Sequence, residues 1–306
     1  MKRKNKPDLV SGVIVIDKHP GVTSHRIVQI LRKLYDSPRV GHTGTLDPLA
    51  TGVLPVLIGR AVKASEFLLS SDKDYEAVLR LGISTDTQDI TGQILSTNEN
   101  IPNEAAVQKI IAGFLGDIQQ LPPMYSAIKV GGKKLLDAAR EGVIIERETR
   151  PVHIETLTAE KINDREYKLF VQCSKGTYIR TLCADIGDKL GCGGAMAALR
   201  RTRSGLFDLT HSHTIEELEK ASIEERISMV HPCESLFSDC PMIHLNDFEA
   251  KLIRGGTELY QKKLKTDFSL GTRIRLYQKE LFFALGEVRD YGDRGTAIKP
   301  IRLFVL

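Results

Sequence analysis

Apolar positions in this 306-residue chain follow a strand period in some stretches and a helix period in others. Gly12–Ile16 reads as a short buried strand, Asp74–Leu81 as a strand with Tyr75 near its start, and Ala195–Ser204 as a strand carrying Leu199 and then Arg200-Arg201. Val152–Ser174 gives two strands, in which Tyr167, Leu169, Val171 and Cys173 alternate with more polar positions. The helical period appears after Thr23-Ser24, an N-cap signal, and places Ile27, Ile30, Leu31 and Leu34 on one face of a helix to about Tyr35. Further helices are expected from about Arg60 to Leu69, from an Asn103 cap to about Leu115 with Gly116 as the stop, and from Tyr178 to about Leu190. An acidic helical stretch spans Thr214–Ile227. Asp17–Gly21 reads as a turn, Gly82–Ile94 as polar and turn-rich, and Gly41–Pro55 as a loop without regular structure, because glycine and proline punctuate it.

Two segments stand apart from this alternation. Met124–Pro151 is an insert with paired glycines at 131–132, a short helix near Leu135–Arg140, and six Lys/Arg against four Asp/Glu. A glycine-hinged, basic segment of this kind suits either ordering on an RNA or a plain surface excursion. From Pro241 a second unit begins: a helix capped by Asn246 or Asp247 runs to Arg254, Gly255-Gly256 ends it, and β runs follow at Arg273–Tyr277, Leu281–Val288 and Ala297–Phe304. The expected architecture is α+β, a mixed and mainly antiparallel sheet flanked by helices, with a small β-rich C-terminal module. The expected boundaries are 1–240, with the insert at about 124–151, and 241–306.

Composition narrows the class. Hydrophobic residues at 42% and charged ones at 27% are ordinary for a globular protein. Net charge is +4, and its distribution says more than its size. Arg165–Arg203 holds eight Lys/Arg against three Asp/Glu, whereas Ser212–Asp239 holds two against seven. That segregation suits a basic nucleic-acid face, or two solvated faces. Five cysteines without a CxxC pair or zinc-finger spacing read as reduced thiols in a cytoplasmic protein. Residues 1–8 read as a basic disordered tail. The apolar run Val13–Ile16 is shorter than the roughly 7–15 residues of a signal-peptide core. No run approaches the roughly 20 apolar residues of a membrane span.

The candidate chemistry lies in Gly41–Lys63, GHTGTLDPLATGVLPVLIGRAVK, where Asp47 is the only acid. An Asp-Pro pair often starts a turn with the aspartate capping its own backbone, and a loop carboxylate between regular elements is also a common catalytic group. Tyr75, Tyr178 and Arg180 likewise have plain readings as core aromatics and a surface pair. The ordinary nucleotide phosphate loops are missing.

Four blocks, DKxxG at 17–21, GHTGTLDPLATG at 41–52, YSAIKxxGKKL at 125–135 and CSKGTYIRT at 173–181, resemble in order the motifs of the bacterial TruB-type tRNA pseudouridine synthases. The likeness is strong over residues 10–210 and weak beyond, where place and size resemble a PUA-like domain. One departure is visible: His19 precedes Pro20, displacing the family's proline by one residue. The resemblance implies isomerisation of uridine-55 in the tRNA T-loop to pseudouridine, with no cofactor, no metal and no guide RNA, by a monomer acting on the T-stem-loop. It implies Asp47 as the nucleophile, paired with Arg180, and Tyr75 stacked on a flipped-out uracil. His42, Tyr178 and Leu199 would bind the substrate, and the insert would fold over it as a thumb. If Arg180 pairs with Asp47, the pairing is expected to hold the carboxyl below its ordinary pKa despite burial. Three other readings are a non-catalytic RNA chaperone on the same scaffold, a guide-RNA-dependent synthase, and a glycosidase. The second would lack an insert such as Met124–Pro151, and the third would need a second nearby carboxylate.

Overall fold

The computed structural model describes residues 9–69, 71–126 and 128–305, so the basic tail expected at 1–8 lies outside the described residues. In chain order the first strands are β1 (Gly12–Lys18), β2 (Val40–His42), β3 (Thr51–Ile58) and β4 (Lys73–Leu81). A small hairpin follows, β5 (Ile83–Thr85) and β6 (Ile94–Thr97), then β7 (Gly116–Gln120) and the insert's β8 (Lys129–Val130) and β9 (Lys133–Lys134). The central sheet continues with β10 (Arg150–Lys161), β11 (Glu166–Cys173), β12 (Gly194–Ser204), β13 (Phe207–Asp208), β14 (Ser212–His213) and β15 (His231–Pro232). Helices α1 (Ser24–Leu34), α2 (Ser65–Leu69), α3 (Glu104–Ala112), α4 (Leu135–Arg140) and α5 (Ile179–Lys189) lie between these strands, and α6 (Ile215–Lys220) and α7 (Ile223–Ser228) close the region.

The sheet runs β14-β1-β3-β12-β4-β11-β10-β7. Only β1/β14 and β3/β12 pair in parallel, so it is mixed and mainly antiparallel. Both faces of β1 are buried, with Ile14 and Ile16 in one core and Val13 and Val15 in another, which explains its unbroken apolar run. In β4, by contrast, Tyr75, Ala77, Leu79 and Leu81 point into the first core while Asp74 and Glu76 face outward to Arg203 and Lys168. Helices α1, α3 and α5 cover the first core through Ile27, Leu31, Val107, Ile111, Leu182 and Ile186. The site forms on this helical side.

A five-stranded sheet of β16 (Met242–Leu245), β17 (Leu259–Tyr260), β18 (Arg273–Gln278), β19 (Leu281–Asp290) and β20 (Thr296–Leu303), in the order β16-β18-β19-β20-β17, follows with α8 (Asp247–Arg254) and α9 (Gln261–Leu264). Asn246 caps α8 in a reciprocal box with Glu249. Tyr277, Phe282, Leu285 and Phe304 share the second core with Val13, Val53 and Leu57, so this sheet is packed onto the back of the first.

Several local expectations need correction. Gly41–Pro55 is not all loop: β2 ends at His42, β3 starts at Thr51, and only the part between them is irregular. Pro55 is tolerated inside β3 because its carbonyl faces the Thr43 N–H (3.2 Å), so its missing N–H falls beyond the end of β2. Lys18 ends a strand rather than opening a turn. Helix α3 stops at Ala112, with Gly113 as its C-cap, because Phe114 turns into the core, and Gly116 begins β7. The Arg60–Leu69 pattern is a 3₁₀ turn over Gly59–Ala64 followed by α2.

Candidate active site

Asp47 lies in a Leu46–Ala50 turn that closes on itself through Ala50 N–H to the Asp47 carbonyl (3.0 Å). The segment after β1 clamps this turn. Ser24 Oγ donates to the Leu46 carbonyl (3.0 Å) and accepts from the Leu46 N–H (2.9 Å). Gly21 N–H donates to the Pro48 carbonyl (2.9 Å). Lys18, fully buried, donates from Nζ to the carbonyls of His19 (3.0 Å), Val22 (2.9 Å) and Pro48 (3.3 Å). The lysine therefore holds backbone, and no acid or phosphate is needed to explain it. Burial pulls its amine down to about 8, opposed by the Asp47 charge and reinforced by that of Arg201. His19 and Pro20 are exposed, so the displaced proline sits at the rim of a loop that still closes.

The carboxylate of Asp47 meets a forked guanidinium. Arg180 Nε lies 2.9 Å from Oδ2, and Nη2 donates to Oδ1 at 3.4 Å. Arg180 comes from the first turn of α5, and its remaining donors are also used. Nη1 donates to the Thr87 carbonyl (3.0 Å), Nη2 to the Tyr125 carbonyl (2.8 Å), and Nη1 stands 3.8 Å from Asp89 Oδ2. Just before it, Gln120 at the end of β7 brackets Tyr178. Its Oε1 accepts the Tyr178 N–H (2.9 Å) and its Nε2 donates to the Tyr178 carbonyl (3.2 Å).

Tyr75 projects from β4 opposite Arg201 of β12 and is buried. Burial raises its hydroxyl, the Arg201 guanidinium against it opposes that rise, and the Asp47 charge reaches it too. The Tyr178 hydroxyl is also raised by burial and lies within the field of Arg180 and Asp47. Leu199, two residues before Arg201, shares an apolar cluster with Tyr75, Leu46 and Ala50. His42 Nδ1 accepts from the Gly44 N–H (3.4 Å), and its pKa is lowered by burial, then by Arg201 and His25, so the ring is neutral at pH 7. The structure thus gathers Asp47, Arg180, Tyr75 and Tyr178 into one field, and joins His42 to them through Arg201. Among the described residues no cluster of three or more His, Cys, Asp or Glu side chains is arranged to hold a metal. No described helix is long and apolar enough to cross a membrane.

Two family models match the chain: TruB family pseudouridylate synthase (N terminal domain) over residues 32–179, and tRNA pseudouridylate synthase B C-terminal domain over residues 180–238. Proteins named tRNA pseudouridine synthase B are similar over nearly the full length. One from Francisella tularensis subsp. tularensis is 43% identical over 97% of this chain and 95% of its own. One from Francisella philomiragia is 42% identical with the same coverage. The chain belongs to the TruB family of pseudouridylate synthases. Solved relatives share the fold. A Cbf5-Nop10-Gar1 complex is 26% identical with a TM-score of 0.70, covering 96% of this chain and 85% of that one. An archaeal box H/ACA sRNP Nop10-Cbf5 complex is 25% identical with a TM-score of 0.69, covering 98% and 89%.

Within this TruB-family site one expectation fails. The Asp47 carboxyl is raised, not lowered: burial outweighs the Arg180 charge, and Asp89 adds to the rise. The physical reason is desolvation of the carboxyl in the folded turn, which exceeds what the Arg180 charge and hydrogen bond give back, with the like charge of Asp89 adding to the rise. About a third of the Asp47 side chain (34%) stays open to solvent.

Sequence reasoning missed Asp89, Arg201, Gln120 and the role of Lys18. Asp89 Oδ1 accepts from Thr87 Oγ1 (2.9 Å) and Thr91 N–H (2.9 Å), an Asx arrangement that the Thr85–Thr91 run of threonines and aspartates could have suggested. Its approach to Arg180 is tertiary and has no local signature.

Proposed function

We propose that this TruB-family enzyme converts uridine-55 in the T-loop of tRNA to pseudouridine, with Asp47 as nucleophile and the target base flipped out of its stack. The observation that carries the reading is the Asp47–Arg180 fork beside Tyr75, at a carboxylate still one-third open. An acid in that state can attack or electrostatically stabilise a ribosyl centre, as carboxylates do in glycosidases. The C–N bond to uracil breaks, the base turns, and a C–C bond forms from its carbon 5, with the displaced C5 proton leaving and N1 taking one up. Atoms and electrons balance without a co-reactant.

The names of the curated relatives support a tRNA substrate. The buried Tyr75 face suits stacking against an extruded uracil, worth about 1–3 kcal/mol. Tyr178 and Leu199 would wall the pocket, and the insert, whose Tyr125 carbonyl already touches Arg180, would close over the loop. The enzyme is expected to act as a monomer, without guide RNA, in the cytoplasm.

The test is incubation with an unmodified tRNA transcript, without guide RNA, followed by chemical mapping of pseudouridine. Product confined to the T-loop uridine supports the reading. Product elsewhere, or equal turnover by Asp47→Asn, would overturn it.

A further inference from the structure

The strand β12 carries three basic residues within four positions, Arg200, Arg201 and Arg203, with unequal partners. Arg200 is paired with Asp17 (2.8 Å) and Arg203 with Asp74 (2.7 Å). Arg201 between them is 1% exposed and has no carboxylate at ion-pair distance among the described residues. Its Nε donates to the Val53 carbonyl (2.7 Å) and Nη2 to the Gly44 carbonyl (3.2 Å). Lys73, the first residue of β4, is 9% exposed and also lacks a carboxylate partner among the described residues. Its Nζ donates to the Ser71 carbonyl at 2.6 Å, and among the described residues the other two of its three N–H groups have no acceptor.

These two cations converge on one spot. A Cβ built on Gly44 would lie 3.5 Å from Arg201 Nη1 and 3.8 Å from Lys73 Cε. Gly44 is half-exposed, has φ +152°, and precedes Asp47 by three residues in the same loop. A side chain there would roof over the spot; glycine leaves it open. Beyond Lys73 the exposed Lys175 adds positive charge, and Asp72 is an exposed acid acting on Lys73 only at a distance. Burial, then Arg201 and more weakly Lys175, lower the Lys73 amine, opposed by Cys173 and Asp72, to about 8.

Buried cations without a counter-charge are costly; Lys18 meets three backbone carbonyls, whereas Lys73 meets one and lies beside an opening. We propose that Lys73, backed by Arg201, seats a non-bridging oxygen of the RNA backbone phosphate next to the target nucleoside, approaching over Gly44. This rests on the RNA-uridine reading above and extends it: a ribose presented to Asp47 carries a phosphate on each side. Lys73 is thus a positioning residue, setting how the sugar enters.

The experiment pairs protein and RNA changes. T-stem-loops carrying a single methylphosphonate at each linkage flanking the target uridine are assayed with wild type, Lys73→Met and Lys73→Arg. Loss of a charge-assisted contact is expected to raise KM about 10- to 100-fold in Lys73→Met, with the saturated single-turnover rate changed far less, and Lys73→Arg should recover most of it. One methylphosphonate should weaken wild type by a similar factor and leave Lys73→Met indifferent. Equal sensitivity of both proteins to every linkage, or an unchanged KM, would overturn the proposal. Should Lys73→Met not fold, ¹⁵N-lysine NMR of wild type replaces it. The Lys73 amine should titrate near 8 in the free protein and higher with the all-phosphate RNA, but not with the sensitive methylphosphonate RNA. An unmoved midpoint with the all-phosphate RNA also overturns it. Wild type that makes no pseudouridine on any RNA sinks both readings; normal turnover with null Lys73 results sinks this one alone.

Discussion

Replacing Arg180 by methionine removes every interaction that the guanidinium distributes. Asp47 loses contacts at 2.9 and 3.4 Å, the Thr87 and Tyr125 carbonyls lose donors at 3.0 and 2.8 Å, and Asp89 is left facing Asp47 with no cation between them. Breaking a buried pair costs about 3–5 kcal/mol. The share falling on Asp47 is smaller because a third of that side chain is wet, so a net loss of about 2–4 kcal/mol is expected. With roughly 2.1 cal/mol/K of unfolding entropy per residue, this lowers Tm by about 3–6 °C. The rate falls for two separable reasons. The carboxyl, already raised by burial, rises further once its compensating charge is gone, so the acid limb of the rate moves to higher pH. It also loses its orientation, which costs about 10²-fold for a displacement near 1 Å. Single-turnover rates from pH 5 to 9 separate the two: the protonation part returns at high pH, the positional part does not. In stability the sign is opposite to that of an ordinary paired carboxylate. The folded state holds the Asp47 proton more tightly than the unfolded one, so this group's contribution is greatest below the unfolded pKa and is lost as pH rises through the folded one. Single-turnover rates for Arg180→Met within about threefold of wild type at pH 7, with an unchanged Tm, would refute the shared-guanidinium account.

Lys18→Met leaves the His19, Val22 and Pro48 carbonyls without their donor and should cost about 1–3 kcal/mol in urea titrations at pH 7, with a lower rate because the turn holding Asp47 loosens. With the folded amine near 8 and the unfolded one near its ordinary 10.5, wild type should gain stability from this group as pH rises across that window, and Lys18→Met should lose that gain; parallel curves would count against it. Gly187→Ala places a Cβ 2.0 Å from the Gly194 amide nitrogen, prying α5 off β12, and should lower both Tm and turnover by overpacking worth about 1–3 kcal/mol. An unaltered melting curve would contradict that. Binding of tRNA should weaken with salt at a log–log slope of about −3.5 to −4.5 if about five phosphates are neutralised, and a flat response would mean the basic 165–203 segment faces away from RNA.

The elements most legible in the sequence are those whose periodicity and capping agree. Helix α1 follows from Thr23, whose side chain accepts the Arg26 N–H at 3.1 Å, and α8 from Asn246 with Glu249. Strands β4 and β11 follow from strict alternation, because one face of each meets the helical layer and the other stays wet. Legibility fails where a residue's environment is set by elements far away in the chain. Nothing local tells that Pro55 sits inside a strand, since that depends on where β2 stops alongside it. Nothing local distinguishes Arg201 from Arg200 and Arg203 either. The β12 irregularity between Arg201 and Arg203 breaks the simple alternation of the run, leaving Arg200 and Arg203 on carboxylates and Arg201 sealed beneath the Asp47 loop.

The same distinction explains why the Asp47–Arg180 contact could be expected but the direction of the Asp47 pKa shift could not. Motif order identifies the aspartate and the arginine, and two groups of opposite charge brought together ordinarily lower a carboxyl pKa. The outcome here turns first on burial of the carboxyl, which no local sequence shows, and then on further partners of the arginine. Asp89, fixed by its own threonines, competes for the guanidinium, and the Thr87 and Tyr125 carbonyls take two of its donors. Arg180 is therefore spread across β5–β6, the insert and the Asp47 turn at once. A segment that moves at Tyr125 must then alter the field at Asp47, because the donor it releases is on the same planar group. That coupling needs no residue beyond those in contact: if the insert closes on RNA as proposed, its position and the ionisation of the carboxylate are linked through one rigid guanidinium.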